Sequence, residues 1–208
     1  MLLAFGPFFA ISTHAGRPPA PWRPLAELPT APELAGRLRQ IRDSLGCDRR
    51  VAASVAQLGL VARLVSPVLA AAVRNGVLLD LGGGCWQPPL DSTFALSLPE
   101  PSRAGMPAGA LATVVRTSPV AELTAAIALL GTVSQRVLAG NIASAVNGAA
   151  LLLGPASYPA AAEMLAGIAD EDGRPGPAFR RRSCCLRYRA EGAGYCGDCV
   201  LDRPARMA

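Results

Sequence analysis

Four cysteines stand close together near the end of the sequence: an adjacent pair, ten intervening residues, and then a Cys-x2-Cys pair. They are Cys184, Cys185, Cys196 and Cys199, and we call them the four-cysteine motif. The sequence contains one histidine, His14, so a metal bound here would be held almost wholly by sulfur. The backbone around the motif must therefore fold so that these four thiols meet.

The spacing of the motif leaves more than one metal open. Structural zinc sites favour two Cys-x2–4-Cys pairs, and Cys196 with Cys199 matches one such half. Neighbouring side chains in an extended segment point to opposite faces, so Cys184 and Cys185 fit a single tetrahedral ion poorly. A two-iron cluster offers two metal atoms, and adjacent ligands are easier to accommodate on it. A disulfide between adjacent cysteines would be strained. The spacing favours an iron–sulfur cluster, with zinc as the main alternative.

The basic residues of the chain are all arginines, because no lysine occurs. This excludes Schiff-base chemistry and a phosphate-loop lysine. A single histidine also excludes a multi-histidine metal site and weakens the case for triad hydrolysis. The four-cysteine motif is left as the strongest candidate for chemistry.

Positive charge is concentrated around the motif. The formal net charge is +5, and residues 180–208 carry +4 of it through seven arginines against three acids. These arginines are at positions 180, 181, 182, 187, 189, 203 and 206. A cluster with four thiolate ligands is anionic, so nearby arginines would offset its charge. The run lacks the interleaved aromatic side chains of a base-stacking surface, and we expect no nucleic-acid partner.

The composition predicts a folded chain with one well-buried core, since 51% of residues are apolar and 17% are charged. Residues 1–11 are apolar but lack a basic segment and contain Gly6-Pro7, which predicts a buried segment rather than a signal peptide. The uncharged stretch Val137–Ala162 is interrupted by polar residues and proline, so a core helix is favoured over a membrane span. With no export signal, a cytoplasmic location with reduced thiols is expected.

The pattern along the chain predicts an α+β fold, mainly helical, with a small antiparallel sheet or hairpin and a C-terminal cysteine-rich loop. Residues 12–29 are rich in proline and are predicted to be extended without regular structure. Val77–Leu81 and Phe94–Leu98 are predicted strands on either side of a glycine-rich loop, residues 82–86. Residues 170–177 resemble a linker. We expect residues 1–178 to form the helical part and residues 179–208 a cluster-binding module packed on it as one structural domain.

Start and stop signals predict five helices. The first begins at a Thr30–Glu33 capping box and stops near Gly46. The second is capped by Asp48 and runs to Arg74, with a kink or end at Pro67. The third begins at Ser118-Pro119 and continues as far as Val137, and the last two are Asn141–Leu153 and Pro159–Ile168.

The segment Phe179–Arg189, followed by Gly192, Gly194 and the Cys196–Cys199 turn, resembles the C-terminal signature of FhuF-like ferric-siderophore reductases. In that family Cys-Cys-x10-Cys-x2-Cys holds a [2Fe–2S] cluster, and all four positions match here. A weaker likeness extends to the Gly6-Pro7-Phe8-Phe9 segment and to residues 140–144. The sequence departs from the family at Arg187, where a tyrosine is expected, and at Ala139, where a tryptophan is usual.

The resemblance implies that the chain passes one electron from the cluster to a ferric siderophore, with hydroxamates favoured, and so releases ferrous iron. Arg181, Arg182, Arg187 and Arg189 are then candidates to surround the cluster. No NAD(P) or flavin site is evident, so a separate electron donor such as a ferredoxin is expected. Peripheral contact with a membrane is left open. The alternatives are an iron- or redox-sensing regulator with the same cluster and a structural zinc protein.

The other residues with chemical potential are predicted to be structural. Cys47 and Cys85 are expected to be buried thiols rather than ligands. Trp86 is expected in the core or a loop, and His14 to be structural or exposed. Asn141 and Asn147, six residues apart, are expected to cap or to make core hydrogen bonds.

Overall fold

The computed structural model describes residues 2–101, 106–117, 119–168 and 174–201. Six α-helices and a small sheet form the body of these residues, and the cysteine segment lies on the body without a long helix of its own. The predicted fold class, α+β and mainly helical, is confirmed. The helices are α1 (Pro32–Ser44), α2 (Arg49–Asn75), α3 (Ala110–Val114), α4 (Val120–Gly131), α5 (Gln135–Leu153) and α6 (Tyr158–Leu165).

Helix α2 is the centre of the core and packs against α5, α4 and α1. Asp48 caps it as predicted, because its Oδ1 accepts a hydrogen bond from the Val51 backbone N–H at 2.9 Å. The helix ends at Gly76, whose φ of 65° is the left-handed conformation that glycine adopts readily. The prediction of a kink or end at Pro67 is wrong, because α2 runs through that residue. Buried contacts on both sides of Pro67 outweigh one lost backbone hydrogen bond.

Helices α4 and α2 approach each other closely at a glycine. A Cβ on Gly131 would lie 2.1 Å from the Cβ of Ala53 in α2, so a side chain there cannot fit without movement. Thr132 then adopts a left-handed conformation with φ 53°, and Ser134 caps α5. One helix therefore ends at Gly131 and the next begins at Gln135. Val137 belongs to the start of α5 rather than to the third predicted helix.

One other helix start differs from prediction. The capping box at Thr30–Glu33 does not form, because the Thr30 hydroxyl donates to the Glu27 carbonyl within a 3-10 turn, Leu25–Thr30. Ala31 is the N-cap of α1, with Pro32 in the first turn as predicted. Ser118, the expected cap of the third helix, lies outside the described residues, as do residues 170–173 of the predicted linker.

Two helices, α2 and α5, are long and apolar enough to cross a membrane by length and composition. In their most apolar stretches, 78% of α2 and 61% of α5 are buried inside the fold. A helix in a protein core can have the length and composition of a membrane-spanning helix. The burial of α2 and α5 inside the fold is that expected of core helices. The expectation of a core helix within Val137–Ala162 agrees with the packing of α5 and α6 against the body.

The sheet has four short strands in the order β1-β4-β3-β2. The strands are β1 (Ser12–His14), β2 (Arg23–Pro24), β3 (Cys85–Gln87) and β4 (Ala95–Pro99). Strands β3 and β4 are antiparallel, with Trp86 opposite Leu96, but β1 runs parallel to β4. The antiparallel hairpin that was predicted is present as β3–β4, but the sheet as a whole is mixed because β1 is parallel. β4 coincides with the predicted Phe94–Leu98 strand, whereas Val77–Leu81 is not a strand and its place is taken by β3.

The proline-rich N-terminal region contains more regular structure than predicted, since β1 and β2 lie within residues 12–29. Before them, Phe9 is fully buried and Arg63 of α2 holds the chain around it. The Arg63 guanidinium donates to the carbonyls of Phe8, Ala10 and Phe94 at 3.0, 2.5 and 3.0 Å. Burial lowers the pKa of Arg63 to about 10.

Candidate metal centre

The cysteine segment is attached to the helical body at the N-terminal end of α2 and along α5. The Ser54 hydroxyl in α2 donates to the Cys185 carbonyl at 2.7 Å, and both groups are buried. The Glu191 backbone N–H donates to the Leu45 carbonyl at 3.1 Å, at the corner between α1 and α2. These contacts fix the segment on the core at both ends of its first loop.

Two short turns present the sulfur atoms. Leu186 follows the adjacent cysteines with a φ of 67°, which reverses the chain and lets its backbone N–H donate to Cys184 Sγ at 3.3 Å. In the second turn the Cys199 N–H donates to the Cys196 carbonyl at 3.1 Å, and the Leu201 N–H donates to Cys199 Sγ at 3.3 Å. Backbone donors aimed at sulfur stabilise a thiolate, which is the form that binds metal.

Two sulfurs of the four-cysteine motif are in contact, because Cys185 Sγ and Cys196 Sγ lie 3.6 Å apart. Cys185 and Cys199 are buried, whereas Cys184 and Cys196 are partly exposed. Two thiols are therefore directed towards the core and two lie at the surface.

The thiols differ in how readily they ionise. The hydrogen bond with Cys196 lowers the pKa of Cys185 to about 6, even though burial acts in the opposite direction. The same hydrogen bond, together with burial, raises the pKa of Cys196. Burial also raises the pKa of Cys184, and the Leu186 N–H partly offsets this. The hydrogen bond between Cys185 and Cys196 therefore favours the thiolate form of Cys185.

The arrangement of donors fits a cluster with two metal atoms. Within the described ranges, His, Cys, Asp and Glu side chains do not converge in groups of three or more on one ion. A [2Fe–2S] cluster requires only two thiolates on each iron. Two thiolates held at ~2.3 Å on one tetrahedral ion lie ~3.8 Å apart, close to the Cys185–Cys196 separation. This pair, and the backbone donors to Cys184 and Cys199, are compatible with a cluster of this kind.

Of the four arginines predicted around the cluster, one is buried. Arg181 is 2% exposed, and its backbone N–H donates to the Asp198 carbonyl at 3.0 Å, inside the Cys196–Cys199 turn. Arg182 and Arg187 are exposed, and Arg189 is exposed and forms an ion pair with Asp48 at 2.9 Å. The role of these arginines remains a prediction. The last two arginines of the basic segment, Arg203 and Arg206, lie outside the described residues.

Sequence reasoning missed two polar residues that contact this segment. Asn141 of α5 is fully buried, accepts from Arg181 Nη2 at 2.5 Å, and donates to Ser54 Oγ and O at 3.0 and 2.9 Å. The Ser54 hydroxyl in turn reaches Cys185. The available signal for Asn141 is an asparagine within a long apolar helix. By itself this pattern predicts only an ordinary hydrogen bond in the core.

The other candidate residues are not part of the motif. Cys85 is buried in β3, and Cys47 is partly buried at the α1–α2 corner. Trp86 is buried in the core beside Phe94, and the His14 ring is within hydrogen-bond distance of the Ser97 hydroxyl at 2.8 Å. Asn147 accepts from the Gly176 N–H at 2.7 Å. These contacts agree with the structural roles expected from the sequence.

Comparison with known families gives a match over the segment just described. Residues 181–201 match the family model of the FhuF 2Fe-2S C-terminal domain. The match includes the whole four-cysteine motif and confirms the resemblance seen in the sequence. The FhuF-type domain accounts for the cysteine segment and indicates an iron–sulfur, siderophore-related protein. No curated protein matches the chain.

Proposed function

We propose that this chain is an iron–sulfur oxidoreductase that transfers one electron from a [2Fe–2S] cluster to a ferric siderophore. The observation that carries the proposal is the FhuF-type domain at residues 181–201, which contains all four expected cysteines and holds Cys185 Sγ 3.6 Å from Cys196 Sγ. The cluster's thiolate ligands are Cys184, Cys185, Cys196 and Cys199. When bound, the cluster supplies a one-electron redox centre.

The separation of the sulfurs supports a particular pairing of the ligands. Cys185 and Cys196, 3.6 Å apart, would bind one iron, and Cys184 and Cys199 would bind the other. Cys185 and Cys199 are buried, whereas Cys184 and Cys196 are partly exposed, so each iron would have one buried and one partly exposed ligand. This arrangement would leave one edge of the site open to a docked molecule.

The surface at this edge suits a bulky chelate. Tyr188 and Tyr195 lie beside the motif with ring centroids 6.1 Å apart, and they are 43% and 55% exposed. Exposed aromatic rings offer apolar contact area to a ligand that must approach without being enclosed. Arg180 and Arg187 add positive charge to the same segment. These residues would hold the chelate near the cluster and are not themselves reactants.

The reaction balances as a single electron transfer. Ferric iron is a hard ion held tightly by the oxygen atoms of hydroxamates, and one electron converts it to the softer ferrous ion, which these ligands hold less well. Iron is released, the chelator remains intact, and the oxidised protein takes one electron from a separate donor such as a ferredoxin. All six cysteines are free thiols, which agrees with a reducing, cytoplasmic location.

The test is a single-turnover reaction without oxygen. Protein is reconstituted, reduced, freed of reductant and mixed with a ferric hydroxamate in the presence of a ferrous-specific chromogenic chelator. We expect close to one ferrous ion trapped per reduced cluster, with the visible bands of the oxidised cluster returning at the same rate. An intact cluster that yields no ferrous ion would reject the reductase and favour a sensor.

A matched pair of cysteine variants controls for thiol chemistry. Cys196→Ser removes a ligand, and we expect it to abolish ferrous release. Cys47→Ser removes a partly exposed thiol that is not part of the motif, and we expect it to behave as the unmodified protein. Equal loss in both variants would show that reduction depends on thiols in general rather than on the cluster.

A further inference from the structure

Arg181 is buried where a cation is costly to place. Its side chain is 2% exposed, and no carboxylate is paired with it among the ion pairs of the described residues. Its backbone is fixed by the hydrogen bond to the Asp198 carbonyl. A charge taken out of water in this way must be compensated by hydrogen bonds or by an opposite charge.

The protein satisfies only one side of the guanidinium. Nη2 donates to Asn141 Oδ1 at 2.5 Å and lies 3.5 Å from the Val137 carbonyl. Nε and Nη1 are buried and have no hydrogen-bond acceptor in the described part of the chain. Ser183 Oγ, next to Cys184, is also buried without a partner there. Unsatisfied donors on both Arg181 and Ser183 indicate an acceptor that the polypeptide does not supply.

The orientation of Arg181 is set by a chain of buried hydrogen bonds that we call the Arg181 relay, comprising Arg181, Asn141 and Ser54. Asn141 accepts from Arg181 and donates to Ser54, and Ser54 donates to the Cys185 carbonyl. The relay therefore begins at an arginine beside one cysteine turn and ends on the backbone of the other. It fixes the guanidinium relative to the sulfur atoms.

Arg181 is close to both cysteine turns. Its backbone N–H donates to the Asp198 carbonyl inside the Cys196–Cys199 turn, and only two residues separate it from Cys184. The relay connects its guanidinium to the Cys185 carbonyl.

We propose that Arg181 donates its Nε and Nη1 hydrogens to the sulfur of the bound cluster and raises the cluster's reduction potential, with Asn141 and Ser54 as positioning residues. This inference rests on the cluster assigned under the proposed function. Hydrogen bonds to sulfur and local net charge are the main means by which a protein sets such a potential. Reduction adds an electron, so a buried cation stabilises the reduced form.

Burial makes Arg181 more effective than its neighbours. The effective dielectric constant falls from ~80 in water to ~20 near or within a protein, so at equal distance a charge is felt roughly fourfold more strongly. Arg180 carries the same charge one residue away but is exposed. Comparing substitutions at Arg181 and Arg180 therefore distinguishes the effect of a buried, oriented charge from that of positive charge on the segment in general.

The experiment compares Arg181→Gln with Arg180→Gln in the holoprotein by anaerobic spectroelectrochemical titration. We expect R181Q to shift the midpoint potential to a more negative value and R180Q to shift it much less. Resonance Raman spectra of the iron–sulfur stretches in H2O and D2O give a second readout. The unmodified protein should show a deuterium shift that R181Q reduces.

Asn141→Asp provides a variant that keeps Arg181 in place. A carboxylate at this position would still accept from Nη2 but would cancel the charge, so a more negative potential is expected here too. This variant decides the question if R181Q does not load a cluster. Equal potentials in N141D and the unmodified protein, or equal shifts in R181Q and R180Q, would overturn the proposal.

The readouts separate this inference from the proposed function. The potential and the Raman shift need a cluster but no siderophore. If both effects are seen but no ferrous iron is released, the role of Arg181 is supported and the reductase function is rejected. If ferrous iron is released but substitution of Arg181 has no effect on the potential, the reductase function is supported and the role of Arg181 is rejected.

Discussion

Replacing Asn141 by alanine should destabilise the metal-free protein far more than the same replacement at Asn147. Both asparagines are buried in α5, so the pair is matched in residue type, helix and burial. Asn141 loses a charge-assisted hydrogen bond from Arg181 and two bonds to Ser54. Asn147 loses one neutral bond from the Gly176 N–H.

The magnitudes follow from these bonds. A hydrogen bond to a charged group contributes about 1.5–3 kcal/mol and a neutral one about 1 kcal/mol, with a further cost for a buried donor left unsatisfied. We expect N141A to lower the free energy of unfolding by ~4 kcal/mol and N147A by ~1.5 kcal/mol. For a chain of this size 1 kcal/mol corresponds to roughly 2–4 °C in Tm, so the two variants should differ by roughly 5–10 °C.

The assay is thermal unfolding of both apoproteins in one anaerobic, reducing buffer, followed by circular dichroism. Removing metal and sulfide isolates the polypeptide's own hydrogen bonds from any contribution of the cluster. A Tm for N141A equal to or above that of N147A would refute the reasoning, because Arg181 would then need no partner in α5.

Three further predictions concern packing and the ligands. Gly131→Ala should lower stability by about 1–3 kcal/mol in urea unfolding, because its Cβ would lie 2.1 Å from that of Ala53. Gly148→Ala is the control: it is exposed in α5 with nothing near its added Cβ, so a gain of about 0.5–1 kcal/mol is expected. Cys185→Ser and Cys196→Ser should perturb the same iron in Mössbauer spectra of holoprotein that still loads a cluster; changes at different irons would contradict the pairing.

Local signals in the sequence predicted local structure well. Asp48 caps α2 because a side-chain oxygen three residues before a free backbone N–H needs only its own turn to form. Gly76 ends the same helix for the equally local reason that its left-handed φ suits glycine. The cysteine motif and the residues around it carried the resemblance to the FhuF-type segment, which the match at residues 181–201 confirms.

Predictions failed where contacts distant in the sequence decide the outcome. Pro67 does not break α2, because the helix is buried by partners elsewhere in the chain. β3 forms in a segment interpreted as a glycine-rich loop, since β2 and β4 pair with it on either side. β1 pairs with β4 across more than eighty residues, which no local pattern indicates.

The candidate site shows the same division. The four cysteines could be named from the sequence as candidate ligands, and so could Arg181 as one of several arginines near them. Its burial could not, because it depends on Asn141, forty residues earlier, and on Ser54 in another helix. Only the fold distinguishes this arginine from the exposed ones beside it.

Metal and sulfide analysis of protein purified without oxygen tests the central claim most directly. The account predicts two iron atoms and two acid-labile sulfides per chain, bound through the four cysteines. One zinc per chain, with neither iron nor sulfide, would contradict it.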